Sequence, residues 1–183
     1  MPIHCRHVYL PKIISKQFFS LSISTCWLMF DIHIEEFYHD SFVVLHTLYQ
    51  AFPKKCNVFV EDIAGPDQPD EYGLHSDRFQ CCFGAMLWLE VEGFIRFEST
   101  LRQEAIDQAS LTMKGLALAS TICQDPIMND ITLRIVSDQI NVSNPGGLAG
   151  RPNIESLKYI LKHGTSTQLA MAMQHLLDKF AKY

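Results

Sequence analysis

At 183 residues the chain can bury a sizeable core, enough for one domain with an appendage or for two small domains. Hydrophobic residues make up 48% and charged residues 19%, which excludes the low-hydrophobicity, high-charge composition of disordered proteins. The formal charge of −5 is unevenly placed: residues 31–120 carry 6 Lys and Arg against 15 Asp and Glu, a balance that repels a phosphate backbone unless a basic face is segregated.

Residues 1–30 hold Arg6, Lys12 and Lys16 with no acid, and end in an apolar run from Phe18 to Phe30 broken by Ser20, Ser22, Ser24 and Thr25. That run is too short and too rich in Ser to span a membrane, so no membrane association is expected. ISTC at 23–26 faintly resembles a lipoprotein cleavage box, but no small-x-small site accompanies it. The segment reads as an N-terminal extension or tail, with Met29 an alternative start, in preference to an export signal. Six cysteines lie scattered without a CxxC pair, Cys81 beside Cys82 in an apolar run, as small buried hydrophobes do in a reducing, cytoplasmic setting. No metal or cofactor is expected.

The first strong helix is HIEEFYHDSFVVLHTLYQAF. Ile34, Phe37, Tyr38, Leu45, Leu48, Tyr49 and Phe52 share one face, and Glu35, Glu36, His39, Asp40, His46 and Gln50 the other, until Pro53 stops it. His39 and His46 lack a third ligand, so they belong to a solvated face. NVFVEDI (57–63) predicts a strand, and the proline-broken AGPDQPDEYG a loop whose Asp67, Asp70 and Glu71, with Asp77 and His75 beyond it, lack the spacing of a calcium site.

From Ser76 to Glu92 the pattern is helical, with Phe79, Cys82, Phe83, Met86 and Leu89 on one face. Leu87, Trp88 and Val91 fall outside that face, so the helix is apolar nearly all round; it is buried on most sides or meets a partner, and it reads as the central helix of its domain. Gly93 ends it as a C-cap. FIRFEST and AIDQASLT follow as strands flanking LRQE, with Ile95 and Phe97 inward and Arg96 and Glu98 outward, and Thr112 caps a short helix, MKGLALAST. Helix, strand, helix, hairpin, helix is the order of a winged-helix domain.

GFIR after the helix, a hairpin, then LTMKGL resembles the wing region of bacterial winged-helix regulators of the PadR-like and MarR-like kind, which close the wing with Leu-Thr-x-x-Gly. The likeness covers residues 31–120 in outline and 93–116 in motif. Leu111, Thr112 and Gly115 match for structural reasons: an inward side chain, an N-cap and a close backbone approach. The resemblance implies a winged-helix domain at 31–120; with the tail read at 1–30 and a C-terminal helical appendage at 121–183, holding a possible hairpin and two terminal helices, the chain is expected to be α+β, mainly α. Within that appendage ITLRIV and QINVSN fit a hairpin across Ser137 and Asp138, and a helix over 129–140 fits as well. NPGGLAGRP is a loop. Asn153 is placed to cap a helix to Lys162 or His163, and Thr165 with Gln168 makes a capping box for a last helix to about Lys182.

Such regulators read DNA with cations on the recognition helix and wing. Here the matching helix has Arg78 and no other cation, against Asp77, Glu90 and Glu92, and the wing sets Arg96, Arg102 and Lys114 against Glu98, Glu104 and Asp107. The proline-broken loop also leaves no obvious room for the preceding helix of that motif. The expectation is therefore a non-enzymatic winged-helix adaptor that binds protein, as a homodimer or with another chain. Its contacts would be Leu87, Trp88, Val91 and the C-terminal stripe of Leu169, Met173, Leu176 and Phe180. The alternative is a DNA-binding transcriptional regulator in which Arg78, Arg96, Arg102 and Lys114 converge with Lys158 and Lys162. Catalysis has little support: Glu61 and Asp62 lack a partner for magnesium, no P-loop, GxGxxG, GxSxG or HExxH occurs, and no small-molecule substrate is evident.

Overall fold

The computed structural model describes residues 31–138 and 150–182; the basic and apolar segment 1–30 and the predicted QINVSN strand lie outside them. The chain is mainly helical with a small antiparallel sheet of four strands: α1 (Ile32–Ala51), β1 (Cys56–Phe59), α2 (Glu61–Ala64), α3 (Asp77–Val91), β2 (Ile95–Arg96), β3 (Ser99–Leu101), β4 (Ala105–Leu111), α4 (Met113–Ser120), α5 (Pro126–Asp138), α6 (Asn153–His163) and α7 (Ser166–Ala181). Among the described residues no helix is long and apolar enough to cross a membrane.

The centre of the molecule is α1, a correction to the expectation that the helix before Gly93 takes that place. Phe42 and Val44 widen the predicted apolar face of α1 into a broad arc, and with Leu45 and Leu48 they are shut from solvent. That arc packs against α3, α4, α7 and β4 at once. Helix α3 buries a single stripe, Phe79, Cys82, Ala85, Met86 and Leu89, while Phe83 is half-buried.

The predicted strand 57–63 is cut short. Val60 is buried but adopts helical backbone, and α2 follows as a single turn within the predicted strand, ahead of the proline-broken loop, which holds no helix. Strand β4 is the middle of the sheet, with β1 on one side and β2 and β3 on the other. Ile95 faces Leu111, and Leu101 faces Ala105, in an unchanged register, so β2 and β3 are halves of one outgoing strand. The β1 register slips by one where Gln108 takes φ +52°, a bulge whose freed N–H donates to Asn57 Oδ1 at 3.1 Å.

Thr112 joins three elements. Its hydroxyl donates to the Gly93 carbonyl at 2.6 Å and accepts from Gly115 N at 3.2 Å, capping α4 beneath the end of α3. Leu111 is buried, and a Cβ at Gly115 would lie 2.1 Å from the Phe94 carbonyl oxygen. Each residue of the Leu-Thr-x-x-Gly motif thus has a packing reason.

Beyond α4 the hairpin reading of ITLRIV is corrected: the stretch lies in α5, where Met128, Ile131 and Ile135 repeat at helical spacing and are buried. Asn153 does not cap α6; Pro152 occupies the cap and Asn153 Nδ2 donates to the Leu118 carbonyl at 2.9 Å, tying α6 to α4. The capping box of Thr165 and Gln168 is formed. Helix α7 lays Leu169, Ala172, Met173, Leu176 and Phe180 into the same core as α1, α3 and α4, so 31–120 and 121–183 share one hydrophobic interior.

Two glycines give opposite expectations. Gly115→Ala forces a clash with backbone and should cost about 2–3 kcal/mol, well above the helix propensity it gains. Gly84, exposed mid-helix in α3 with nothing within 4 Å of an added methyl, should gain about 0.8 kcal/mol as Gly84→Ala. Urea midpoints of the two variants against wild type check both signs.

Candidate interaction surface on the third helix

Arg78 sits in the first turn of α3 and points back to α1. Its Nη1 and Nη2 donate to Asp40 Oδ2 and Oδ1 at 2.6 and 2.7 Å, and Glu36 approaches Nε at 3.6 Å. Asp40 is only 1% exposed, a correction to its placement on the solvated face of α1. Burial would raise its carboxyl, but hydrogen bonds from His39 and Arg78 and the guanidinium charge hold it below the ordinary value. Burial near the same carboxylate pushes the Cys82 thiol up to about 12, making it inert, whereas its neighbour Cys81 is exposed. The buried reading of the cysteine pair therefore holds for one of the two.

Lys114 is held at the other end of α3. Its Nζ donates to the Glu92 carbonyl at 2.9 Å and lies 4.5 Å from the centre of the Phe94 ring. Arg78 and Glu92 are 14 residues apart along the helix, so these two cations are separated by about 21 Å. Arg96 is exposed on β2, with Nε donating to Ser110 Oγ at 3.0 Å, and Arg102 is exposed at the hairpin tip. Arg78 and Lys114 are consequently occupied by protein groups at opposite ends of α3 and do not converge into a single patch.

What α3 offers to solvent is Asp77, Gln80, Cys81, Gly84, Trp88, Glu90 and Val91, without a Lys or Arg among them. Val91 is 77% exposed and Trp88 36%. The indole packs edge-on against Phe37 of α1 at 5.0 Å and lies 6.4 Å from the buried Phe94 ring, which Lys114 covers; Met113, next to Lys114 in the chain, is 79% exposed. Leu87 is half-buried and lines a groove of about 270 Å³ with Phe79, Phe83, Gly84 and Gln103. Leu169, Met173, Leu176 and Phe180, expected at an interface, are buried inside the chain's own core.

The acidic loop is ordered by its own carboxylates. Asp67 Oδ2 lies 2.9 Å from His75 Nδ1 and accepts from Ser76 N at 3.1 Å, His75 stacks on Phe79, and Asp70 Oδ1 accepts from Tyr72 N and Leu74 N. Among the described residues no three His, Cys, Asp or Glu side chains converge as a metal site requires. His39 and His46 part company: His39 contacts Asp40, while burial and then Lys158 lower the pKa of His46, which lies beside Phe42. Met113 was missed in the sequence because it opens a capped helix, a position that periodicity assigns to neither face.

Compared with protein-family models, curated proteins and solved structures, the chain matches none.

The buried ion pair has a pH signature. A carboxyl depressed in the folded state contributes stability above its unfolded pKa of about 3.9, and that contribution is lost as pH falls through the lower folded value. Unfolding free energies between pH 7 and pH 3 should therefore decline on the acid side, and Asp40→Asn should flatten that decline while lowering stability at pH 7. Arg78→Leu should cost about 2–3 kcal/mol at neutral pH, less than breaking a fully buried pair because the guanidinium keeps some solvent.

Proposed function

We propose that this chain is a non-enzymatic adaptor of winged-helix type that binds protein through the outer face of α3, built on Trp88 and Val91, continued by Met113 and bordered by Leu87. One observation carries the reading: the face that a DNA reader would line with cations presents aromatic and aliphatic side chains instead, and the only arginine of α3 is committed to Asp40. An exposed Trp and Val in adjoining positions on a rigid helix are the kind of anchor a protein interface uses. The element order from α1 to β4, with β4 returning between β1 and the outgoing strand, supports the winged-helix assignment. The free thiols of Cys56, Cys81, Cys82 and Cys123 suit a reducing, cytoplasmic location. The partner is a second copy of this chain or another protein.

A DNA-binding regulator is the second reading, and the hairpin tip favours it. Arg102 and Gln103 are both exposed with φ of +51° and +71°, the positive pair of a tight hairpin turn that Asn-Gly fills at less strain. Exposed Glu98 and Glu104 flank that tip and weaken its field.

Full-length protein should give no salt-sensitive mobility shift on duplex DNA. Any self-association seen by light scattering over a concentration series should disappear in Val91→Asp, whose folding stability should stay within about 0.5 kcal/mol of wild type because the side chain supports nothing inside. A DNA shift that weakens with Arg96→Ala and Arg102→Ala would overturn the protein-binding reading.

A further inference from the structure

We propose that the cleft between α3, the acidic loop and the hairpin tip binds a small organic cation, an amine or guanidine carried on an aromatic or aliphatic group. The site is separate from the Trp88 face and goes beyond the protein-binding reading. Two grooves adjoin there, with His75 and Phe79 in the walls of both. One, of about 270 Å³, is mainly apolar: Phe79, Phe83 and Leu87 line it with Gln103. The other, of about 250 Å³, sets Phe59 among Glu61, Asp67 and Glu104. Either alone is slightly smaller than the range of about 300–1,000 Å³ that ligand clefts occupy, and the two taken together fall within it. These dimensions suit one small molecule better than a polypeptide, whose interfaces take roughly 800 Å² from each partner.

The chemistry of the walls selects the ligand. No Lys or Arg lines either groove, and Arg102 at the same tip lines neither. Asp67 is committed to His75 and to Ser76 N, which leaves exposed Glu61 and Glu104 as the carboxylates open to a ligand. Two carboxylates match an ammonium or guanidinium better than a metal ion, and among the described residues no three metal-binding side chains converge. Phe59, 45% exposed in the same groove, offers an aromatic ring on which a cation can rest. His75 adds an acceptor. Its Nδ1 donates to Asp67 Oδ2 at 2.9 Å, and the neutral ring then keeps Nε2 as an acceptor that meets no protein donor among the described residues. Stacked on Phe79, with 12% of its side chain exposed, the imidazole is held in the wall that the two grooves share. The acidic groove thus fits a cationic head and the Leu87 groove an apolar tail, whereas an anion would meet carboxylates and no compensating cation.

The probe is phenylbutylamine, with phenylbutanol and phenylbutyrate as its neutral and anionic counterparts, each titrated into the isotope-labelled full-length protein and followed by amide chemical shifts. The amine should move the Gly84, Gln103 and Glu104 amides saturably, the alcohol should bind more weakly and the acid should not bind. Glu61→Gln combined with Glu104→Gln should weaken the amine about three- to tenfold and leave the alcohol unchanged. Gly84→Leu, whose added Cβ meets nothing within 4 Å, should keep the urea midpoint and abolish binding of both. Val91→Asp should leave the amine's affinity as it is. The absence of a saturable shift overturns the proposal, as does equal affinity for amine and alcohol. So does an affinity indifferent to the paired Gln substitutions or to Gly84→Leu, or one lowered by Val91→Asp. A blocked Phe-Lys dipeptide that binds more tightly than the amine overturns it in favour of a polypeptide ligand. The Trp88 face stands or falls separately, on whether Val91→Asp abolishes self-association and whether DNA is shifted.

Discussion

Everything in the outer half of this molecule is positioned by one ion pair, Arg78 on Asp40. Asp40 lies in the buried arc of α1, where an unpaired carboxylate would cost several kcal/mol, and the planar fork of arginine satisfies both oxygens as a lysine could not. Because the pair is bidentate it fixes rotation as well as distance: Arg78 facing α1 sets which stripe of α3 is buried. Phe79, Cys82, Met86 and Leu89 follow onto the core, and Trp88 and Val91 are left on the rim. The surface that the helix presents is therefore a consequence of how it is anchored. A cation spent on an internal carboxylate is unavailable to phosphate, and the anchoring leaves outside the residues that suit a polypeptide.

A second node finishes what the ion pair begins. Gly93 takes φ +73° to end α3, Thr112 receives that end by donating to its carbonyl, and Gly115 lets α4 approach Phe94 to backbone distance. Lys114 then satisfies the last exposed carbonyl of α3 and covers the Phe94 ring that lies near Trp88. The hairpin of β2, β3 and β4 is thus clamped to the helix at its base while its tip, Arg102 and Gln103, stays in solvent. Helix α7 completes the arrangement from the opposite side of α1, where Glu35 accepts hydrogen bonds from the Ser166 and Thr167 hydroxyls at the start of α7, so the C-terminal helices brace the same helix that holds α3.

Features set by local chemistry were legible in the sequence. Ser76 and Gly93 bracket α3, Thr112 caps α4, and Thr165 with Gln168 opens α7, because caps and left-handed glycines act within a few residues. What failed depended on partners distant in the chain. Asp40 reads as solvated until Arg78, 38 residues on, is known to reach it. Asn153 reads as a cap until the Leu118 carbonyl claims its amide. NVFVEDI looks like seven residues of strand, yet β4 bulges at Gln108 and β1 turns into α2 after Phe59, so pairing ends early. The hairpin tip lacks the Asn-Gly signal of its turn. On α3 the same limit divided the apolar surplus: Leu87, Trp88 and Val91 were identifiable as falling off the main stripe, but that Leu87 lines a groove while the other two stand on the surface is decided by Phe37 and Gln103, from elements far apart in sequence.

The division among those three side chains constrains what this face can bind. Leu87 lines a groove with Gln103 of the hairpin tip, next to one lined by Glu104, Asp67 and Glu61, whereas the Trp88 ring packs on Phe37 of α1. On the binding face proposed here, exposed Glu90 next to Val91 and the lack of a Lys or Arg on the outer side of α3 would favour a partner carrying positive charge and disfavour nucleic acid. If this face binds protein as proposed, selectivity would come less from its apolar side chains, which accept many partners, than from carboxylates such as Glu90, which reject acidic ones.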